Sequence, residues 1–96
     1  MIVVVSYDVE TKTREGRRRL RQVSRACVDY GQRVQFSVFE CNVSRENWVR
    51  LRQRLLDLFN PAKDSLRFYF LGEDSSARIE HHGTKEAIDV TGLLMG

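Results

Sequence analysis

The chain is poor in residues that cross-link or punctuate a fold. Among 96 residues there are two cysteines, one proline and six glycines. With only Cys27 and Cys41, and no C-x-x-C pair, there is no disulfide framework, and zinc would find too few ligands. Both thiols fall inside predicted elements and read as reduced, partly buried groups of a cytoplasmic protein. No low-complexity linker or internal repeat divides the chain, so one small domain is expected. No apolar run approaches the length of a membrane span, and no membrane partner is expected. The N-terminal run Ile2-Val3-Val4-Val5 lacks a basic flank and a cleavage site, so it reads as a strand and not as a leader. Lysine is scarce too. Only Lys12, Lys63 and Lys85 among the sixteen basic residues are lysine, and the rest are arginine.

What is present is an ordinary globular composition, 42% hydrophobic, with a net charge of +3 and a pI near 9.2. Arginine suits bidentate contact with phosphate, but arginines also line solvated helix faces. Composition therefore admits a nucleic-acid partner without requiring one. A chain this short buries a modest core, and dimerisation would help it.

The hydrophobic pattern resolves into alternating elements. Residues 2–8 read as a strand buried on both faces. A helix follows from a cap at Thr11 or Thr13, with an apolar stripe of Leu20, Val23, Cys27 and Tyr30 beside Ala26, and Gly31 as its C-terminal cap. Residues 32–43 are strand-like with a phase slip. Val34, Phe36 and Val38 share one parity, and Phe39, Cys41 and Val43 share the other. A bend near Ser37–Phe39 resolves the slip into two antiparallel strands. Ser44 caps a second helix with a stripe of Trp48, Leu51, Leu55, Leu58 and Phe59, ended by Asn60-Pro61. Residues 65–71 form a further strand, 72–76 a turn, and Arg78–His82 a short edge strand. This order is α+β, the ferredoxin-like β-α-β-β-α-β arrangement with an additional C-terminal strand, here assigned to residues 1–83. Both helices would cover one face of the sheet. The apolar second face calls for a homodimer packed sheet on sheet. Residues 84–96 read as a tail that docks on the partner subunit or another protein.

Chemistry concentrates at Tyr7-Asp8, a carboxylate at the rigid end of a buried strand, just before an arginine-dense stretch. Asp is common where strands turn, which is the plain structural reading. Magnesium, however, often uses only one or two protein carboxylates with waters and substrate phosphate. Two copies of Asp8 near a dimer axis would meet that need. The histidines His81-His82 point to opposite faces of a strand, so they do not chelate jointly. Phe36, Phe39, Phe68, Tyr69 and Phe70 are assigned to core in preference to base stacking.

The chain resembles the small CRISPR-associated endoribonuclease family of the spacer-acquisition complex. The motifs that carry the resemblance are Tyr7-Asp8 after the apolar strand, the arginine-rich helix, the run Tyr30-Gly31-Gln32-Arg33-Val34-Gln35-Phe36-Ser37-Val38-Phe39-Glu40-Cys41, and Ser65–Phe70. The resemblance implies a ferredoxin-like homodimer that binds Mg2+ through Asp8 at its interface, with Tyr7 positioning the strand end. It implies substrate handling by Arg33, Ser37 and Phe39 and by one helix arginine, for which Arg17, Arg18 and Arg19 are all candidates; the residues read as nucleic-acid-binding are Arg14, Arg17, Arg18, Arg19 and Arg33. It further implies partnership with the CRISPR integrase on prespacer DNA, with cleavage of single-stranded RNA or duplex DNA. The alternative within the same family is a non-catalytic dimeric scaffold that bridges integrase dimers.

Overall fold

The computed structural model describes residues 1–72 and 78–84. The elements are strand β1 (Ile2–Asp8), helix α1 (Arg14–Tyr30), strands β2 (Gln32–Gln35) and β3 (Val38–Asn42), helix α2 (Arg45–Leu58), and strands β4 (Ser65–Leu71) and β5 (Arg78–Gly83). The strands pair antiparallel in the order β2-β3-β1-β4-β5. This is the expected ferredoxin-like sheet with the extra strand on one edge. β1 is central, which explains its unbroken apolar run: Val3, Val5 and Tyr7 are buried on one face, and Ile2, Val4 and Ser6 are half-buried on the other.

Register builds the core. Val3, Val5 and Tyr7 stand level with Phe70, Phe68 and Leu66 of β4, and Val3 and Val5 also with Cys41 and Phe39 of β3. These side chains join Val23, Ala26 and Cys27 of α1 and Trp48, Leu51 and Leu55 of α2 in one buried cluster. Trp48 meets the rings of Phe68 and Phe70 edge-on at 4.9 and 5.4 Å, contacts that add about 0.5–1.5 kcal/mol each beyond area burial. Neither helix packs on the opposite face, where Ile2, Val4, Tyr69 and Ile79 share a side by register. Cys27 and Cys41 are fully buried, more than expected, and both are free thiols.

Of the two candidate caps, Thr13 starts α1, its hydroxyl accepting the Gly16 N–H at 3.0 Å. Ser44 caps α2 in the same way through Asn47. Gly31 does donate its N–H to the Cys27 carbonyl, at 2.8 Å, but its φ of −150° is extended, not left-handed. Its requirement is space. A Cβ there would sit 2.7 Å from the Glu40 carbonyl oxygen and against the Cys41 sulfur.

The hairpin departs from expectation. Its turn falls at Phe36–Ser37, one residue earlier than the predicted bend, with a bulge between Arg33 and Gln35. Phe39 and Cys41 are buried, but Val34 is 58% and Phe36 91% exposed. Phe36 is therefore not core. β2 is an edge strand, all four residues exposed, so Val34 and Phe36 face solvent while Val38, across the turn in β3, stays half-buried. His81 and His82 do lie on opposite faces, His81 against Arg67 and His82 against Glu80. The predicted turn at 73–76 and the tail assignment beyond Thr84 lie outside the described residues.

Asp64 holds the lower end of the fold together. Its side chain is fully buried and accepts two hydrogen bonds from Arg19, at 2.8 and 3.2 Å. It also accepts the backbone N–H of Glu10 at 3.0 Å and of Asn60 at 2.9 Å. One carboxylate thus fastens the loop after β1, helix α1 and the turn after α2, immediately before β4. The Asp64 carbonyl accepts the Thr84 N–H, and Gly83 (φ +108°) passes so close that a Cβ would lie 2.6 Å from Ser65 Cα. Burial alone would raise the Asp64 pKa, but the Arg19 hydrogen bond, the two N–H donors and the guanidinium charge outweigh it and hold the carboxyl below its ordinary value.

We expect Asp64→Ala to destabilise the protein in urea unfolding by roughly 3 kcal/mol, because Arg19 and two N–H groups lose their acceptor. A carboxyl with a lowered folded-state pKa stabilises above its ordinary pKa of about 3.9, and that stability is lost as pH falls through the folded value. Asp64→Asn should therefore lack this part of the acid unfolding limb below about pH 4.

Candidate functional site

The site begins with the end of β1. Because β1 is paired on both sides, Asp8 sits at the tip of the most restrained strand, level with Ser65 of β4, and its side chain is exposed. The Tyr7 N–H donates to the Ser37 carbonyl at 3.1 Å, so the β2–β3 turn lies directly against this tip. Tyr7 itself is 4% exposed, with its ring near-parallel to Phe39 at 6.2 Å. Burial raises its pKa, against the lowering hydrogen bond of Ser24. The phenol therefore stays protonated at neutral pH and acts as a hydrogen-bond group, not a base.

Arg33 braces the turn. Its guanidinium lies 4.9 Å over the Phe39 ring, donates to the Phe36 carbonyl at 3.0 Å and donates to Ser24 Oγ at 2.6 Å. Phe39 is completely buried. Its ring supports Arg33 from below, so any part it takes in substrate handling runs through that guanidinium.

An open depression of about 1090 Å³ runs from Asp8 and the hairpin over α1 toward α2. Tyr7, Asp8, Arg33 and Ser37 line it at the sheet end. Arg18, Arg21 and Arg25 line it along α1, and Arg54 at α2. Spaced i, i+3, i+7, the three helix-one arginines fall on one stripe of α1, so the depression is a shelf with a cationic margin along the helix. Arg25 and Arg54 share Asp29, at 3.6 and 2.8 Å, which offsets part of their charge.

Of the five arginines expected to bind nucleic acid, the structure brings Arg18 and Arg33 to the shelf. Arg14 and Arg17 lie outside it, and the Arg17 guanidinium turns back to the Thr11 carbonyl at 3.3 Å. Arg19, one of the three helix candidates, pairs with the buried Asp64 at 2.8 and 3.2 Å. The signal was available: Arg19, Val23, Ala26 and Tyr30 share the i, i+4, i+7, i+11 spacing that marks one helix face. Sequence reasoning also missed Arg21 and Arg25, which with Arg18 keep an i, i+3, i+7 spacing. Arg54 had no local signal, since only the packing of α2 beside α1 brings it there.

Among the described residues, no three His, Cys, Asp or Glu side chains gather closely enough to hold a metal ion. A magnesium ion at this tip would rest on Asp8 with water and substrate phosphate, or on Asp8 from two copies. Either donor set fits its preference for oxygen ligands and few protein carboxylates. No helix among the described residues is long and apolar enough to cross a membrane.

Fold and site together describe a small ferredoxin-like domain with a fixed carboxylate beside a cationic shelf. The profile of the family described as CRISPR associated protein Cas2 matches residues 1–79. A CRISPR-associated endoribonuclease Cas2 of Chlorobaculum tepidum is 57% identical over 95 residues, 99% of each chain. A CRISPR-associated endonuclease Cas2 of Halalkalibacterium halodurans is 47% identical over 95 residues, again 99% of each chain. The crystal structure of Streptococcus pyogenes Cas2 superposes with a TM-score of 0.70 at 53% identity, covering 77% of this chain and 89% of that one. The chain belongs to the Cas2 family of CRISPR-associated proteins.

Arg18→Glu with Arg21→Glu should weaken nucleic-acid binding and reduce the slope of log affinity against log salt by about two. Arg14→Glu, outside the shelf, should change both less. Fluorescence-anisotropy titrations across a salt series read this directly.

Proposed function

We propose that this protein is a magnesium-dependent phosphodiesterase of CRISPR spacer acquisition, cleaving single-stranded RNA or duplex DNA. It acts as a cytoplasmic homodimer with the CRISPR integrase on prespacer DNA. The observation that carries the reading is the exposed Asp8 carboxylate, fixed at the end of the central strand where the arginine shelf begins. The names of the relatives, endoribonuclease and endonuclease, support the same reaction class. The dimer follows from the apolar sheet face that neither helix covers, since joining two such faces would bury Ile2, Val4 and Tyr69 and bring two Asp8 side chains into one site.

In this reading Arg18, Arg21 and Arg33 hold the phosphates of the strand and set its path past Asp8. Asp64 and Arg19 fix the loop that leaves the strand, which keeps the Asp8 backbone from drifting. Tyr7 and Arg33 hold the hairpin against the strand tip. A bound magnesium ion would supply Lewis-acid polarisation of the phosphodiester and a more acidic water. Asp8 is the residue that would hold it.

The test is a cleavage assay on labelled single-stranded RNA and duplex DNA, with magnesium or chelator, comparing wild type with Asp8→Asn. Cleavage should require metal and fall at least about 100-fold in the variant. Metal-independent cleavage, or cleavage that survives the substitution, would refute the reading. An inactive protein that still bound DNA and integrase would be a scaffold instead.

A further inference from the structure

The most exposed large hydrophobic side chain among the described residues is Phe36, at 91%. It stands at the tip of the β2–β3 hairpin, on the wall of the arginine shelf. Its backbone is restrained from several sides. The Phe36 carbonyl accepts from Arg33 Nη1 at 3.0 Å and faces the Tyr7 hydroxyl at 3.5 Å. The next carbonyl, of Ser37, accepts the N–H of Tyr7, the residue before Asp8. Arg33 is itself held by Ser24 and by the Phe39 ring. An aromatic ring presented to water from a braced turn, beside cations and next to a fixed carboxylate, has the two components of a single-strand binding site, a stacking platform and an electrostatic track.

We infer that Phe36 stacks on one unpaired base of the substrate strand. The ring thereby seats the adjoining phosphodiester at Asp8. The ligand class is single-stranded nucleic acid, because a paired base keeps both faces inside the duplex stack. Arg33 neutralises phosphate on the same turn, so base and phosphate are gripped by residues three apart. The shelf arginines pull in any polyanion, and Phe36 selects the strand whose bases are free. The inference rests on the phosphodiesterase reading for the purpose of this grip, but the grip itself is a binding event and can be measured without cleavage.

The test uses the intact protein, chelator and a fluorescent 12-nucleotide RNA, with a duplex of equal length as control. Phe36→Ala should weaken RNA binding about tenfold, leave duplex binding unchanged, and leave the salt slope of RNA binding unchanged, since no ionic contact is removed. Phe36→Trp should restore affinity and Phe36→Leu should not. Quenching of 2-aminopurine in the RNA should follow the same order. Thermal unfolding should be unchanged, as expected of so exposed a side chain. Unchanged RNA affinity in Phe36→Ala would overturn the inference. So would equal losses on RNA and duplex, or dissociation of a dimer by the substitution. Because these readouts need no catalysis, an inactive Asp8 would not be mistaken for a failed Phe36.

Discussion

The structure depends on a single buried carboxylate. Asp64 sits where the loop after β1, helix α1 and the turn after α2 converge, and it is the acceptor for two backbone N–H groups and one guanidinium there. Four donors meet its two oxygens: two from Arg19 and one each from the Glu10 and Asn60 backbones. The energetic logic is that of any buried charge. Desolvation opposes it, and only complete pairing makes it stabilising. Complete pairing also makes it unforgiving, because no neighbouring group can substitute for an acceptor placed between three chain segments. The tip of β1 that carries Asp8 is framed by this arrangement on one side and by the hairpin on the other.

Much of this was legible in the sequence because it depends on periodicity. The alternation of β1, the stripes on both helices and the strand at 65–71 reflect burial at fixed spacings, and they predict the sheet with its helices on one face. The hairpin was legible as a break in phase but not in its consequence. A parity argument distinguishes two faces, not an edge from a centre, so Phe36 looked like core. Asp64 was invisible for a different reason. In Asn60-Pro61-Ala62-Lys63-Asp64-Ser65 it resembles any turn aspartate, and two of its partners, Arg19 and Glu10, lie 45 and 54 residues away. Arg19 was grouped with Arg17 and Arg18 because the resemblance aligned no single helix arginine. Read by helical angle, it separates from Arg18 at once. The five-residue cationic shelf could not be assembled from one segment, since Arg33 and Arg54 arrive from other elements.

The domain divides its arginines by what surrounds them. Arg19 meets a fully buried carboxylate, where little water competes, and Arg52 meets one in a more open setting. Arg52 reaches Glu80 at 2.6 Å and ties α2 to β5. The shelf arginines meet solvent, where pairing contributes little to stability and charge remains available to a polyanion. Arg33 belongs to both groups, stacking on a buried ring while its guanidinium braces an exposed turn. The same residue type thus performs fastening, bracing and attraction, and burial decides which.

The Asp64 arrangement also shapes how such a chain can diverge. Glu10 contributes only its backbone N–H to the carboxylate, so its side chain can change with little effect on the clamp. Asn60 is less free, because its side-chain oxygen also accepts the Ala62 N–H and shapes the turn. The two members that act through their own side chains, Arg19 and Asp64, are bound to one another. A lineage that lost either would be expected to lose both, replacing the pair with apolar residues of matching volume. Across relatives these two positions should covary, and the loop after β1, though close to the chemistry, should drift.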